Sequence, residues 1–277
     1  MSNKIQIISD FFTNISFEFS FFGLTFAAFA FAILGNLFSN TVLKNIKGQD
    51  IIGINFLIIT GAMLSFSPFF FKYNFNEEAI IYFLWVVVLD MSANYFYFKI
   101  FEKLKKSIHS IIISLVTTLI FFLGWLFWDD LLSWQFLLLS ILLMLIITSL
   151  TISFKNFKKI IVLLLFTLFF YFCSSLPSQI ILTFYGIINA PTLYMIRAGA
   201  IGLLGILYKG NLQKLTIKQY KLIFVRGILI IGQWVTMYTA LIQASKINKK
   251  LNINWIIGIG FLLLLNLIFV KYLEKRK

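Results

Sequence analysis

The feature that most constrains this chain is a series of apolar runs, each about 20 residues long, that recur from one end to the other. A helical run of this length crosses a hydrocarbon layer about 30 Å thick. Only 12% of the residues are charged and the mean hydropathy is +0.94, which leaves too little polar surface to cover a soluble core. Barrel strands alternate polar and apolar residues, and residues 136–150 do not. The runs therefore predict membrane-spanning helices.

About nine such runs are present, and we number the predicted spans 1 to 9 in chain order. They cover residues 21–43, 50–71, 79–98, 108–128, 132–153, 159–184, 191–208, 222–244 and 253–271. Residues 1–20 mix charged and aromatic side chains, which is typical of an interfacial segment ahead of the first span. The gaps between spans are short, so no soluble domain is expected. The sequence predicts an all-α, multi-pass integral membrane protein of a bacterial plasma membrane, surrounded by the lipid bilayer.

Lysine and arginine are distributed unevenly between the two predicted sides of the membrane. The gaps after odd-numbered spans and the C-terminal end hold 18 of the 24 positive residues, a count that assigns Arg226 to the gap after span 7. The opposite side holds 5, and Arg197 lies within span 7. The positive-inside rule then places the C-terminus in the cytoplasm and the N-terminus outside. Because this rule accounts for the net charge of +14, we do not expect a nucleic-acid partner.

The two halves of the chain resemble each other in the order of their short motifs. The corresponding pairs are Asn36 with Ser175, Tyr97 with Tyr238 and Trp134 with Trp255, at offsets of 139, 141 and 121 residues. The final offset is shorter by about 20 residues, the length of one span. We predict an inverted repeat of five plus five helices that has lost one: residues 21–153 form five helices and residues 159–277 form four. Chance similarity between apolar helices is the alternative.

A family resemblance rests on four motifs taken in order. These are Gly35-Asn36 with Asn40, the acidic pair Asp129-Asp130 ahead of Leu131 and Trp134-Gln135, Pro191 ahead of Arg197, and Tyr238-Thr239-Ala240-Leu241. With these motifs the chain resembles EamA-type members of the drug/metabolite transporter superfamily, over about residues 21–271. The resemblance implies a transporter of a small metabolite, either amino-acid-like or amphipathic. The family usually has ten spans and two cytoplasmic termini, and this chain departs from both expectations.

Asp90 lies near the middle of span 3, where an ionisable side chain costs about 2.5–3.5 kcal/mol to insert. One interpretation is a carboxylate that binds substrate or couples transport to protons. The other is a structural hydrogen bond to Asn94, one turn later on the same face. On the first interpretation, Asp90→Asn is expected to abolish uphill transport and to leave folding nearly intact.

Arg197 is the only basic residue well inside a span. Three interpretations stay open for it: it binds a substrate carboxylate, it pairs with Asp90, or it reaches the interface about two turns away. Pro177 interrupts span 6 beside Ser175 and Gln179, where a freed carbonyl and polar side chains favour a cavity.

The remaining candidates for a central substrate site come from spans 1 and 8. Asn36 and Asn40 occupy the part of span 1 that matches the polar part of span 6. Trp234 and Tyr238 are candidates for stacking on an aromatic or cationic substrate. From these positions we predict a polar cavity at mid-membrane lined by Asn36, Asp90, Ser175, Gln179 and Trp234.

Enzyme chemistry is not expected, because the sequence offers no nucleophile–base pair, phosphate loop or metal motif. A single cysteine and a single histidine (His109, interpreted as a solvated interfacial residue) cannot form a metal cluster, and no cofactor is predicted. Two alternatives to transport stay open: a membrane enzyme or lipid-handling protein, and a transport-inactive remnant or accessory subunit.

Overall fold

The computed structural model describes a subset of the chain, and the account below is confined to it. The described residues are 20–35, 37, 77–104, 107–127, 138, 141–142, 145–146, 148–149, 152–184, 189–209, 216–246, 264, 268 and 272. Within them all regular structure is helical and no strand occurs. Predicted span 2 lies outside the described residues, and only scattered positions of spans 5 and 9 lie inside them. The all-helical prediction holds for the described part of the chain.

Six helices account for most of the described residues, and we label them α1 to α6. They are α1 (Ser20–Gly35), α2 (Ala79–Lys103), α3 (Ser107–Phe127), α4 (Phe154–Gln179), α5 (Ala190–Lys209) and α6 (Ile217–Lys246). A π-helical turn, Ile180–Phe184, continues α4 directly. The six helices lie at predicted spans 1, 3, 4, 6, 7 and 8, in that order.

Three of these helices are long and apolar enough to cross a membrane: α2, α4 with its π-helical turn, and α6. With 25 residues, α2 is about 38 Å long, which exceeds the hydrocarbon thickness of about 30 Å. Large apolar side chains on their outer faces are exposed, among them Leu84, Val88, Val162 and Ile228. Exposed apolar surface of this kind is what lipid contact requires, and the chain is a membrane protein on these grounds.

The α2–α4 pair forms the most extensive helix contact among the described elements. Side chains of the two helices meet in reverse order along the chain: Asp90 with Ser174, Asn94 with Tyr171, and Phe96 with Phe170 and Phe166. The two helices are therefore antiparallel. The Phe96 ring stacks on the rings of Phe170 and Phe166, whose centroids are 5.8 and 5.0 Å away. These three rings form one side of the contact between the helices.

Helix α6 packs along α1 in the antiparallel direction. Ser20 donates a hydrogen bond to Gln243 at 3.1 Å near one end of the pair. Gly232 packs against the Phe31 ring farther along, and Gly35 packs against Ile230. At both glycines an added Cβ would lie about 3.0 Å from a neighbouring side chain, so the two backbones approach closely at these points.

Helix α3 runs parallel to α6. Gln233 donates a hydrogen bond to Thr118 at 2.8 Å, and the Tyr238 ring lies 5.9 and 6.3 Å from those of Phe121 and Trp125. Contacts therefore advance along both helices in the same chain direction. The resulting arrangement surrounds a buried interior between α2, α3, α4, α5 and α6.

Two interpretations of single residues are corrected by the structure. Arg226 does not belong to a loop: it lies in α6, nine residues after Ile217, and its side chain is buried. His109 is not solvated, because it lies within α3 and is 6% exposed. Both residues lie within the first three turns of their helices, and their side chains are packed inside the bundle.

Candidate functional site

The centre of the site is a buried ion pair between the carboxylate of Asp90 on α2 and the guanidinium of Arg197 on α5. Oδ2 of Asp90 and Nε of Arg197 are the paired atoms, and the two side chains are 0% and 2% exposed. Oδ1 of Asp90 accepts a hydrogen bond of 2.6 Å from the hydroxyl of Ser174 on α4. Both carboxylate oxygens thus have partners, and three helices meet at one charge.

The guanidinium of Arg197 is also enclosed by aromatic rings. Its Cζ lies 3.7 Å from the centroid of Trp234 and 5.7 Å from that of Tyr194. Nη1 donates a hydrogen bond of 3.1 Å to the hydroxyl of Tyr238. A desolvated cation over an indole face gains about 2 kcal/mol or more. Of the three interpretations left open for Arg197, the structure supports the pair with Asp90 and places the side chain away from the interface.

Asn94 has a different role from the one expected of it. Its Nδ2 donates to the backbone carbonyl of Asp90 at 2.7 Å, and its Oδ1 accepts from the hydroxyl of Tyr171 at 3.3 Å. It makes no hydrogen bond with the Asp90 carboxylate among those described. Asn94 therefore joins α2 to α4 one turn from the ion pair.

A cavity of about 40 Å³ adjoins the ion pair. At roughly 10–15 Å³ per water, this volume holds about three water molecules or one small polar group. Its walls come from all five of the helices α2 to α6. The lining residues are Asn94, Tyr97, Phe98, Ser114, Thr117, Thr118, Tyr171, Tyr194, Arg197, Arg226, Ile230, Gln233 and Trp234.

The predicted site residues are distributed unevenly around this cavity. Trp234, Asn94 and Arg197 line it, and Tyr238 and Asp90 each contact the Arg197 guanidinium from outside the lining. These five candidates therefore form one cluster. Of the residues predicted to line the cavity, Trp234 does so and Asp90 lies outside the lining.

The remaining candidates are not brought to the cavity. The hydroxyl of Ser175 donates to the carbonyl of Phe172 at 2.6 Å, and Ser175 packs against α3 where Gly124 lacks a side chain. Gln179 is not among the lining residues. The expectation that Ser175 lines this cavity is corrected, because its hydroxyl is directed to its own helix and its side chain to α3. Asn36 and Asn40 lie outside the described residues.

Sequence reasoning missed several lining residues, and Arg226 and Gln233 on α6 are the most important. Arg226 is 4% exposed, with its Cζ 5.8 Å from the Phe98 ring, and Gln233 is 5% exposed. Residues 226, 230, 233 and 234 follow the helical spacing of a single face, and this pattern was the available signal. The pattern was overlooked because Arg226 follows several lysines in sequence and was therefore counted with them as a cytoplasmic residue.

The site combines charged, polar and aromatic side chains. It presents two guanidinium groups, one carboxylate, amides, hydroxyls and aromatic faces within an apolar bundle. Among the residues that the structure describes, no group of three histidine, cysteine, aspartate or glutamate side chains is positioned to hold a metal ion. Comparison with protein-family models, with curated proteins and with solved structures finds no match to this chain.

Proposed function

We propose that this chain is a secondary transporter that moves a small metabolite across a bacterial plasma membrane by alternating access. The observation that carries the proposal is the buried polar cavity, which is lined by side chains from five helices of an apolar bundle. Ionisable groups within a membrane bundle are costly and generally face a pathway or a partner. The same architecture accords with the resemblance to EamA-type transporters, whose substrates are small metabolites.

The directions of the described helices are those expected of a nine-span topology. Helix α2 is antiparallel to α4, as expected of predicted spans 3 and 6. Helix α1 is antiparallel to α6, as expected of predicted spans 1 and 8. The positive-inside rule supports an N-terminus outside and a C-terminus in the cytoplasm.

The two-repeat architecture has a separate line of support. Adding the offset of 141 to residue 90 gives position 231, and subtracting the offset of 139 from residue 174 gives position 35. The repeat therefore predicts that the contact between Asp90 and Ser174 has a counterpart between positions 231 and 35. The structure places Gly35 against Ile230, one residue from the expected position. The α2–α4 and α1–α6 pairs are thus packed at corresponding points of the two repeats, as expected for helices exchanged between inverted halves.

The ion pair gives this transporter a device for coupling. Asp90 belongs to the first repeat, and Arg197 and Ser174 belong to the second, so the pair joins the two halves. Protonation of Asp90 would remove the charge that holds Arg197 and would loosen this connection. Proton coupling through Asp90 is therefore part of the proposal.

Uptake of a panel of radiolabelled metabolites into proteoliposomes, with and without an imposed pH gradient, tests the proposal. Ser114→Leu places a larger apolar side chain in the cavity wall and is expected to abolish uptake. Val88→Leu enlarges an apolar side chain at a lipid-exposed position, 60% exposed, and is the control that should retain uptake. Absence of uptake across the panel by the folded wild type, or equal uptake by both variants, would contradict the proposal and favour an accessory or inactive role.

A full-length experimental structure tests the repeat. Residues 21–153 are expected to superpose on 159–277 after rotation about an axis in the membrane plane, with span 4 lacking a counterpart. A tenth membrane helix, or the absence of such a rotation, would contradict the proposed repeat.

A further inference from the structure

Lysines of two neighbouring helices lie side by side where the α2–α4 contact ends. The ammonium of Lys103, in the last turn of α2, donates a hydrogen bond of 3.4 Å to the backbone carbonyl of Lys159, in the second turn of α4. The two helix ends are therefore adjacent, as their antiparallel packing requires. We call the lysines described at these two ends the basic patch: Lys99, Lys103, Lys155, Lys158 and Lys159.

Most of the positive charge of the basic patch is uncompensated in the described part of the chain. Glu102 pairs with Lys99 at 3.2 Å and is the one carboxylate described at these helix ends. The first turn of α4 contains no acidic residue. The four other lysines are exposed, and no described carboxylate lies within ion-pairing distance of them. Five lysines and one glutamate leave the patch with a formal excess of four positive charges.

The basic patch lies at the depth of lipid headgroups. Asp90 is within one residue of the middle of α2. At a rise of about 1.5 Å per residue, Lys99 lies about 14 Å along α2 from Asp90, and Lys103 about 20 Å. On α4, Lys159 lies about 22 Å from Ser174, the residue that contacts Asp90. The hydrocarbon ends about 15 Å from the middle of a bilayer and the headgroup region about 20–22 Å from it, so the patch is level with lipid phosphates.

An exposed apolar surface continues from the basic patch toward the middle of the membrane. Residues 155, 159, 162, 166 and 169 of α4 are spaced by three or four positions and so share one helix face. The last three are Val162, Phe166 and Phe169, all of them exposed. On α2, Tyr95 is exposed and its ring centroid lies 5.9 Å from the Lys99 ammonium. A cationic end above an apolar face is complementary to an anionic headgroup above acyl chains.

We propose that the basic patch binds the headgroup of an anionic phospholipid, whose acyl chains lie along the exposed apolar face of α4. This inference goes beyond the proposed function and does not depend on transport. Lysine binds phosphate oxygens as a point charge, and a basic site between membrane helices is suited to an anionic headgroup. A zwitterionic lipid offers the same chains without net charge, and free phosphate offers the charge without chains. Both therefore serve as probes of the assignment.

Lipid binding by the purified full-length chain in a neutral detergent tests the assignment. Native mass spectrometry measures the affinities of phosphatidylglycerol and phosphatidylcholine that carry identical acyl chains. Phosphatidylglycerol is expected to bind at least about 10-fold more tightly, and excess inorganic phosphate should not displace it. Equal affinity for the two lipids, or displacement by inorganic phosphate, would overturn the assignment.

Two double variants separate the basic patch from surface charge in general. A lysine near an anionic lipid surface contributes roughly 5-fold to binding, so Lys103→Gln with Lys159→Gln should weaken phosphatidylglycerol binding about 25-fold. Lys218→Gln with Lys221→Gln is the matched control. It removes two exposed lysines from the start of α6, on the same side of the membrane in the proposed topology, and should weaken binding by less than about 3-fold.

Glu102→Gln is a variant in which binding should increase. It removes the one negative charge described in the patch and is expected to tighten phosphatidylglycerol binding about 2- to 5-fold. Equal losses in the two double variants would overturn the proposal in favour of unspecific attraction, and so would wild-type affinity in Lys103→Gln with Lys159→Gln. If that double variant does not fold, a failure of Glu102→Gln to tighten binding would overturn the proposal instead.

Discussion

Neutralising Asp90 should destabilise the protein strongly, because it leaves the buried charge of Arg197 without its partner. The change Asp90→Asn keeps the size of the side chain and an oxygen that accepts from Ser174. It removes the negative charge paired with a guanidinium that is 2% exposed. The structure therefore replaces the sequence-based expectation that this variant folds nearly as well as the wild type.

The magnitude follows from the burial of the pair. Removing one partner of a buried ion pair costs about 3–5 kcal/mol, which corresponds to roughly 10²- to 10⁴-fold in the folding equilibrium. Removing the second charge as well, in Asp90→Asn with Arg197→Gln, eliminates the unpaired ion. The double variant loses the stacking of Arg197 on Trp234, worth about 2 kcal/mol, but should be more stable than Asp90→Asn alone.

A double-mutant cycle measured by unfolding in mixed detergent micelles provides the test. The matched control is the exposed pair of Lys99 and Glu102, whose side chains are 31% and 32% exposed. Because exposed pairs contribute about 0–1 kcal/mol, Glu102→Gln should change stability by no more than this. If Asp90→Asn costs no more than Glu102→Gln, or if adding Arg197→Gln destabilises it further, the reasoning from an enclosed ion pair is refuted.

Two further predictions concern topology and packing. Reporter fusions ahead of Phe21 and after Lys277 should report outside and cytoplasmic locations, and both ends on one side would contradict the nine-span count. Gly124→Ala should lower stability in a detergent thermal melt by about 1–3 kcal/mol, because its Cβ would lie 3.0 Å from the Phe172 carbonyl oxygen. Gly23→Ala has nothing within 4 Å of the new Cβ and should stabilise α1 by up to about 1 kcal/mol; equal effects would refute the close α3–α4 approach.

The existence and order of the six described helices could be predicted from the sequence because hydrocarbon thickness imposes a length on every apolar run. Span 4 was predicted at residues 108–128 and α3 covers Ser107–Phe127. The ends of other helices were predicted less well. Helix α2 continues to Lys103, past the predicted end at 98, and α6 begins at Ile217 rather than 222. Hydropathy marks only the ends of the apolar segment. The backbone hydrogen bonds of the helix continue through polar residues outside the hydrocarbon, so the helix is longer than that segment.

The charged part of the site was visible in the sequence for an energetic reason. An aspartate or arginine within an apolar run is costly unless it is paired, so Asp90 and Arg197 stood out individually. The pair between them was one of three interpretations left open for Arg197, because pairing depends on which helices are neighbours. Tyr194 carries a neutral side chain whose insertion costs less, and nothing in its local sequence separated it from interfacial or packing residues.

Adjacent serines on α4 show most directly what one-dimensional reasoning lacks. Ser174 and Ser175 are both fully buried, yet only Ser174 reaches the Asp90 carboxylate. Ser175 donates to its own helix, because successive side chains on a helix point about 100° apart. Ser178, one turn beyond Ser174, donates to the carbonyl of Ser174 and so contributes to the same helix face without reaching α2.

A hydroxyl on a membrane helix has a backbone carbonyl available as acceptor in its own preceding turn, so its presence carries little information about a site. A mid-membrane carboxylate has no such internal partner, and it therefore identifies the face of each neighbouring helix that forms the site.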